Sequence, residues 1–252
     1  MSTFLELAQE LVTELGIGGA NQGATVPTTV LLQTGQLWNA VNWIKQAENN
    51  VNLLHTDWQY LALEYAETLS IGSTAVPAHS TAGETVKMWD RQSFWINRAA
   101  STAAPLTWVP WEDFRRDILP GLAPTTNSKP TVITQKRDGS LLVDVPCDLA
   151  YALTGEFYRA PVKLAADADV PAMPAEYHRL IICEAAIKYG NKEAAAEVIN
   201  GMEAEYEMLL EKLEGDQLIG GEYDNQHSQD VPIVIGIPGY EDEPDRVNKW
   251  WL

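Results

Sequence analysis

Cysteine is scarce. The chain of 252 residues carries two, Cys147 and Cys183. Two thiols cannot build a disulfide framework. Both lie in apolar stretches, which predicts buried free thiols in a reducing compartment. They are far apart in sequence, so no structural-zinc spacing exists. Histidine is thin too, with four in the chain. Bases are few: 17 Lys and Arg stand against 35 Asp and Glu, a net charge of −18. A field of that sign repels phosphate backbones and anionic lipid. The charge therefore argues against nucleic-acid binding as the main task. Lining a channel through which DNA passes is not, because a tight grip would there be a fault. No apolar run approaches the roughly 20 residues of a membrane span. The start, Met-Ser-Thr-Phe-Leu-Glu, lacks a basic segment and an apolar core. It does not read as a secretory signal, and cytoplasmic synthesis and folding are expected.

What is abundant is aromatic and acidic. Nine Trp and nine Tyr exceed the needs of one core this size. Some are expected at interfaces, where both residues are enriched. Thr3 and Glu6 have capping-box spacing, and Phe4, Leu5, Ala8, Leu11, Val12 and Leu15 follow at helical period. A second helix is expected from near Thr34 to His55, with Leu37, Val41, Ile44, Ala47, Val51 and Leu54 inward. Asn42, Gln46, Asn49, Asn50 and Asn52 give it an amide-rich outer face. From Trp58 to about Leu164 the helical period is lost. Strand composition appears over Thr85–Ile96, and Asp138-Gly139 between two apolar runs is a hairpin signal. Leu153–Val162 reads as a further strand, and Trp111–Leu119 as a short helix. Two helices return, one from Tyr177 to Tyr189-Gly190, the other from Lys192 to Glu214 with a solvated acidic face.

The expected fold class is α+β. Residues 1–56 and 171–216 supply a helical bundle, residues 57–170 a β-rich insert resembling a sandwich or barrel, and residues 217–252 an extended C-terminal arm. The arm combines Gly, Pro and an acidic run with apolar islands. A disordered tail should lack such islands. Val231, Ile233, Ile235, Trp250 and Trp251 are the candidate partner-interface residues, docking on another chain, for instance by strand addition. The alternative is an arm folded back on its own domain.

Chemistry is hard to find. His55 and Asp57 form a His-x-Asp pair at a helix end, which reads as a cap and dipole contact. His79 lies in a loop. His178 and Cys183 are five apart and are not helical neighbours. Gly16-Ile-Gly-Gly19 follows a helix and reads as a stop, not a phosphate cradle. Asp167-Ala-Asp169 and Glu241-Asp-Glu243 lack calcium-loop spacing. No catalytic, cofactor-binding or metal residue is assigned, and no cofactor is expected. A carbohydrate-active enzyme would need two carboxyls about 5–10 Å apart beside exposed Trp.

Several segments are collinear with one family. They include Thr3-Phe-Leu-Glu-Leu-Ala-Gln-Glu-Leu11, Gly16-Ile-Gly-Gly19, Val41-Asn-Trp-Ile-Lys-Gln-Ala47 and Leu54-His-Thr-Asp-Trp-Gln-Tyr-Leu61. Trp89-Asp-Arg-Gln-Ser-Phe-Trp-Ile96, Pro105–Arg116, Gly155-Glu-Phe-Tyr-Arg-Ala-Pro161, Met173–His178 and Glu203–Leu218 continue the set. Over residues 1 to about 218 the chain resembles the adaptor, or head-to-tail connector, proteins of short-tailed bacteriophages. The resemblance implies a ring, usually of twelve subunits, in the virion neck beneath the portal at one capsid vertex. It implies the portal and a tail nozzle or tail fibre protein as partners, DNA passing through without specific binding, no membrane and no catalytic residues. Another tail component, a nozzle or tube subunit, is the alternative.

Overall fold

The first helix, α1 (Phe4–Leu15), begins where the sequence places it. The Thr3 hydroxyl accepts the Glu6 N–H, and the Glu6 carboxylate accepts the Thr3 N–H at 2.8 Å. Two N–H groups that the helix cannot pair internally are thus satisfied. Gly16 closes the helix at φ 62°. The computed structural model describes residues 2–17, 26–79, 84–98, 103–121 and 127–218. The chain divides into two units, Met1–Leu218 and Ile219–Leu252. Only the first falls among the described residues, and the architecture below is its own.

Helix α2 (Gly35–Leu54) buries Ala40, Val41, Trp43, Ile44, Ala47 and Val51. It packs on α1 and on α4 (His178–Glu193). Helix α5 (Ala196–Gln217) lies along α4. Phe4, Leu7, Leu11, Ile44, Leu180 and Ile181 are fully excluded from water in this bundle. Each such side chain contributes about 1.5–3 kcal/mol by leaving water. Helix α5 is held less completely. Val198, Met202, Tyr206, Leu209 and Leu210 are only half-buried, and Leu213 alone is fully so.

A second hydrophobic core lies between two sheets. Strand β1 (Ala62–Leu69) runs antiparallel to β8 (Tyr151–Arg159) over its whole length. The other edge of β8 pairs with β2 (Val86–Trp89) and β3 (Trp95–Asn97), and β3 continues to β4 (Ala104–Pro105). The second sheet has β5 (Thr107–Trp108) parallel to β6 (Val132–Gln135), and β6 antiparallel to β7 (Leu141–Val143). Strand β8 alternates strictly: Tyr151, Leu153 and Phe157 point inward, Ala152, Thr154 and Glu156 outward. Phe94, Ile96, Ile133, Val143 and Leu69 meet them. The β6–β7 hairpin turns at Asp138-Gly139, with Gly139 at φ 88°, where an L side chain would be strained. The Asp138 carboxylate accepts the Ser140 N–H at 2.9 Å. The α+β class, with a helical bundle and a two-sheet β unit, is as the sequence predicts.

Four local readings need correction. Helix α4 does not stop at Tyr189-Gly190. Gly190 is inside it because Ile199 of α5 packs where a Cβ would stand, 2.6 Å from Ile199 Cγ1. The left-handed residue falls instead at Ala194, φ 54°. The segment after Pro110 keeps only three α-helical residues, α3 (Trp111–Asp113), before widening into a π turn over Phe114–Ile118 that buries the Phe114 ring. Leu54 is exposed at the end of α2, whereas Asn52 is buried rather than on the outer amide face. Its amide donates to Glu48 at 2.6 Å and accepts the Tyr60 hydroxyl at 2.9 Å, and those bonds make its burial tolerable.

Candidate functional site

The three described histidines and the two cysteines serve the fold. His55 caps α2, but its ring leaves Asp57 alone. Nε2 meets Glu214 of α5 at 2.9 Å, and the ring stands edge-on to Trp58. His79 Nε2 meets Glu84 at 2.8 Å, and its ring leans on Phe157. His178 is buried at the start of α4. Its Nε2–H donates to the Met173 carbonyl at 3.2 Å, and its Nδ1 accepts the Ser2 N–H at 3.2 Å. Burial lowers its pKa, so the neutral ring is the working form. Cys147 and Cys183 are both buried free thiols. Desolvation pushes Cys183 up to about 12, far from the thiolate a nucleophile requires.

The described acidic pair, Asp167 and Asp169, is likewise engaged. Asp167 accepts the Val30 N–H at 2.6 Å and the Thr29 hydroxyl at 3.0 Å. Asp169 accepts the N–H groups of Ala165 and Ala166, which hold its pKa down. Glu241 and Glu243 lie outside the described residues. Arg179 of α4 bridges Glu14 of α1 and Glu205 of α5, tying three helices together. Among the described residues no group of three or more His, Cys, Asp or Glu is placed to hold a metal ion.

A shallow cleft on the outer face of the first sheet brings Glu64, Glu156 and Trp95 together. Glu64 and Glu156 are register partners on β1 and β8. This is the pairing a glycoside hydrolase would demand beside an exposed Trp. Both glutamates are exposed, however, and that chemistry needs one carboxyl kept protonated by an apolar surrounding.

What the surface does offer is apolar area. Trp43, Trp58 and Trp89 are absorbed by packing, whereas Trp38 is 56% and Trp95 43% exposed. Leu31, at 55%, and Leu32, at 100%, precede α2. Their turn is tightly knit. Thr29 Oγ1 accepts the Leu31 N–H, and the Gln33 amide donates to the Thr29 carbonyl at 2.6 Å. Sequence reasoning missed Leu31 and Leu32 because they lie in the loop before α2, outside any periodic pattern. The five residues assigned to a partner interface, Val231, Ile233, Ile235, Trp250 and Trp251, lie outside the described residues.

The described residues form an α+β chain of two hydrophobic cores, with the described histidines and cysteines engaged in packing or internal bonds. Its sequence matches the family model described as SU10 adaptor protein over residues 2–229, and the chain belongs to that family. It is therefore a bacteriophage adaptor, a head-tail connector component of the virion. No curated protein matches it in sequence. Among the described residues no helix is long and apolar enough to cross a membrane.

Proposed function

We propose that this chain assembles, as twelve subunits, into a ring beneath the portal at one capsid vertex, joining the head to the tail and continuing the DNA exit channel. On this reading residues 1–56 and 171–216 are the helical domain and 57–170 a β-rich insert. Residues 217–252 are an arm that reaches a partner through Val231, Ile233, Ile235, Trp250 and Trp251. The ring sits in the virion neck and meets a tail nozzle or tail fibre protein below. The chain works by binding, with no catalytic step of its own.

The observation that carries this reading is the adaptor-family match across residues 2–229. Charge supports it. A net −18 on each subunit, repeated around a ring, repels the phosphates of passing DNA. Ring contacts are heterologous, so each subunit needs two unlike faces. Exposed Leu31, Leu32 and Trp38, before and on α2, and exposed Trp95, on β3, are material for such faces. The test is electron microscopy of the purified chain mixed with its cognate portal protein, averaged for rotational symmetry. A ring stacked coaxially on the portal is expected. A chain that leaves the portal bare would overturn the reading in favour of a nozzle or tube subunit.

A further inference from the structure

Among the described residues Glu48 is the one buried acid. Its Oε1 accepts from Asn52 at 2.6 Å, and no other described residue bonds its carboxyl. Yet Glu48 lines a cleft of about 350 Å³ between α2 and the segment after β8. The other charged side chains on the cleft walls are both basic, Lys45 and Lys163. Lys45 stands over the Phe4 ring, and Lys163 has no partner among the described residues. Gln46 and Asn49, also on the walls, keep their side-chain amides free of described partners. In a chain of net charge −18, such a cleft is a local reversal, rich in hydrogen-bond donors. Burial lifts the Glu48 pKa to about 7, so below neutrality its carboxyl is a donor too. The fold does not require the ionisable group. A Gln would accept from Asn52 equally well, without the cost of a buried charge. A buried acid kept in the wall of a donor-lined cleft points to a ligand that accepts hydrogen bonds.

We propose that this cleft binds a carboxylate, borne by an acidic peptide or by a free small acid, with Lys45 and Lys163 balancing its charge and the Glu48 carboxyl donating a hydrogen bond to it. The walls select that ligand. A cation would meet two ammonium groups. A carboxylate meets two ammonium groups, the free amides of Gln46 and Asn49, and an acid O–H. Hydrogen bonds from an acid to a carboxylate are short and charge-assisted. Once Glu48 ionises, that bond is replaced by repulsion between two carboxylates. The other charged or titratable groups nearby are Tyr60, whose hydroxyl bonds Asn52, Glu184 of α4, bonded to Asn50, and Asp169, which acts on Lys45. Affinity is therefore full below the Glu48 pKa and falls as pH rises through about 7. Such a site is independent of ring formation.

Titration of the purified full chain, followed by the side-chain amide NMR signals of Gln46 and Asn49, tests it. The probes are sodium acetate and a capped triglutamate peptide, with sodium chloride and sodium phosphate for comparison. Acetate and the peptide are expected to shift both signals saturably at about pH 6, and to bind roughly tenfold more weakly at about pH 8. Tighter binding of the peptide would identify a polypeptide as the source of the carboxylate, and equal affinity a free acid. E48Q puts an N–H where the acid O–H stood. It is expected to bind at pH 8 as tightly as the parent does at pH 6, within about twofold, because the donor no longer ionises. K163A, at an exposed position, is expected to keep the melting temperature and to weaken binding about fivefold. K212A, at an exposed position on α5, is the control and is expected to change nothing. Signals that respond to acetate no more than to chloride overturn the proposal. So does an E48Q variant that keeps the parent's pH dependence, or a K212A control that weakens as much as K163A. Phosphate bound in preference to acetate, and more tightly as pH rises, overturns it as well.

Discussion

Glu48 shows how one residue can set a pH dependence in this fold. It is 2% exposed on α2, and it receives a single short hydrogen bond, from Asn52. Burial penalises its charged form and lifts its pKa to about 7, against a smaller lowering by the Asn52 amide. An acid whose folded pKa is raised binds more protons folded than unfolded between about 4.5 and 7. Stability from this group is therefore full below pH 4.5, and it falls as pH rises through 7. E48Q keeps an acceptor for Asn52 and removes the ionisation. It is expected to be close to neutral at pH 4 and to stabilise the protein by about 1–3 kcal/mol at pH 8. Thermal melts at the two pH values check this, and equal melting shifts at both would show that Glu48 is not desolvated as described.

At the scale of elements, the seam between α4 and α5 is lined on the α5 side mostly by half-buried side chains, and Leu213 alone is completely buried. Gly190 is the point of closest approach. A Cβ there would lie 2.6 Å from Ile199 Cγ1 and 3.3 Å from the Ala195 carbonyl oxygen. G190A is expected to push α5 outward and to destabilise by about 1–3 kcal/mol, as overpacking does. Gly201, mid-way along α5, has nothing within 4 Å of an added Cβ. G201A is expected to stabilise by up to about 1 kcal/mol through helix propensity. Chemical denaturation of the pair gives opposite signs if the seam is as described, and the same sign if α5 is loose. The seam also marks the limit of what the chain declares locally. Thr3 and Glu6, the alternation of β8 and Asp138-Gly139 are signals contained in a few consecutive residues, and each element stands where they put it. Gly190 looked like a stop because glycine usually is one. Its actual reason is Ile199, on another helix. The parallel pairing of β5 with β6 and the burial of Asn52 by Tyr60 are likewise set by contacts between separate segments.

For the whole molecule, the buried residues of both hydrophobic cores, among the described residues, lie between Phe4 and Leu213. Deleting Val231–Leu252 removes none of them. It removes four acids, Glu241, Asp242, Glu243 and Asp245, and two bases, Arg246 and Lys249, so the net charge moves from −18 to −16. Repulsion between copies thus hardly changes, and any loss of assembly reports lost contact rather than altered charge. The truncated chain is expected to keep the parent's melting temperature and to bind the portal more weakly. A tethered arm raises the local concentration of its docking residues and adds avidity without altering the fold. Calorimetry and portal-binding titration read the two effects separately. A truncated chain that unfolds would make Val231, Ile233, Ile235, Trp250 and Trp251 core residues. One that melts normally and binds the portal with undiminished affinity would remove the arm from the interface and leave the contacts to residues before Val231.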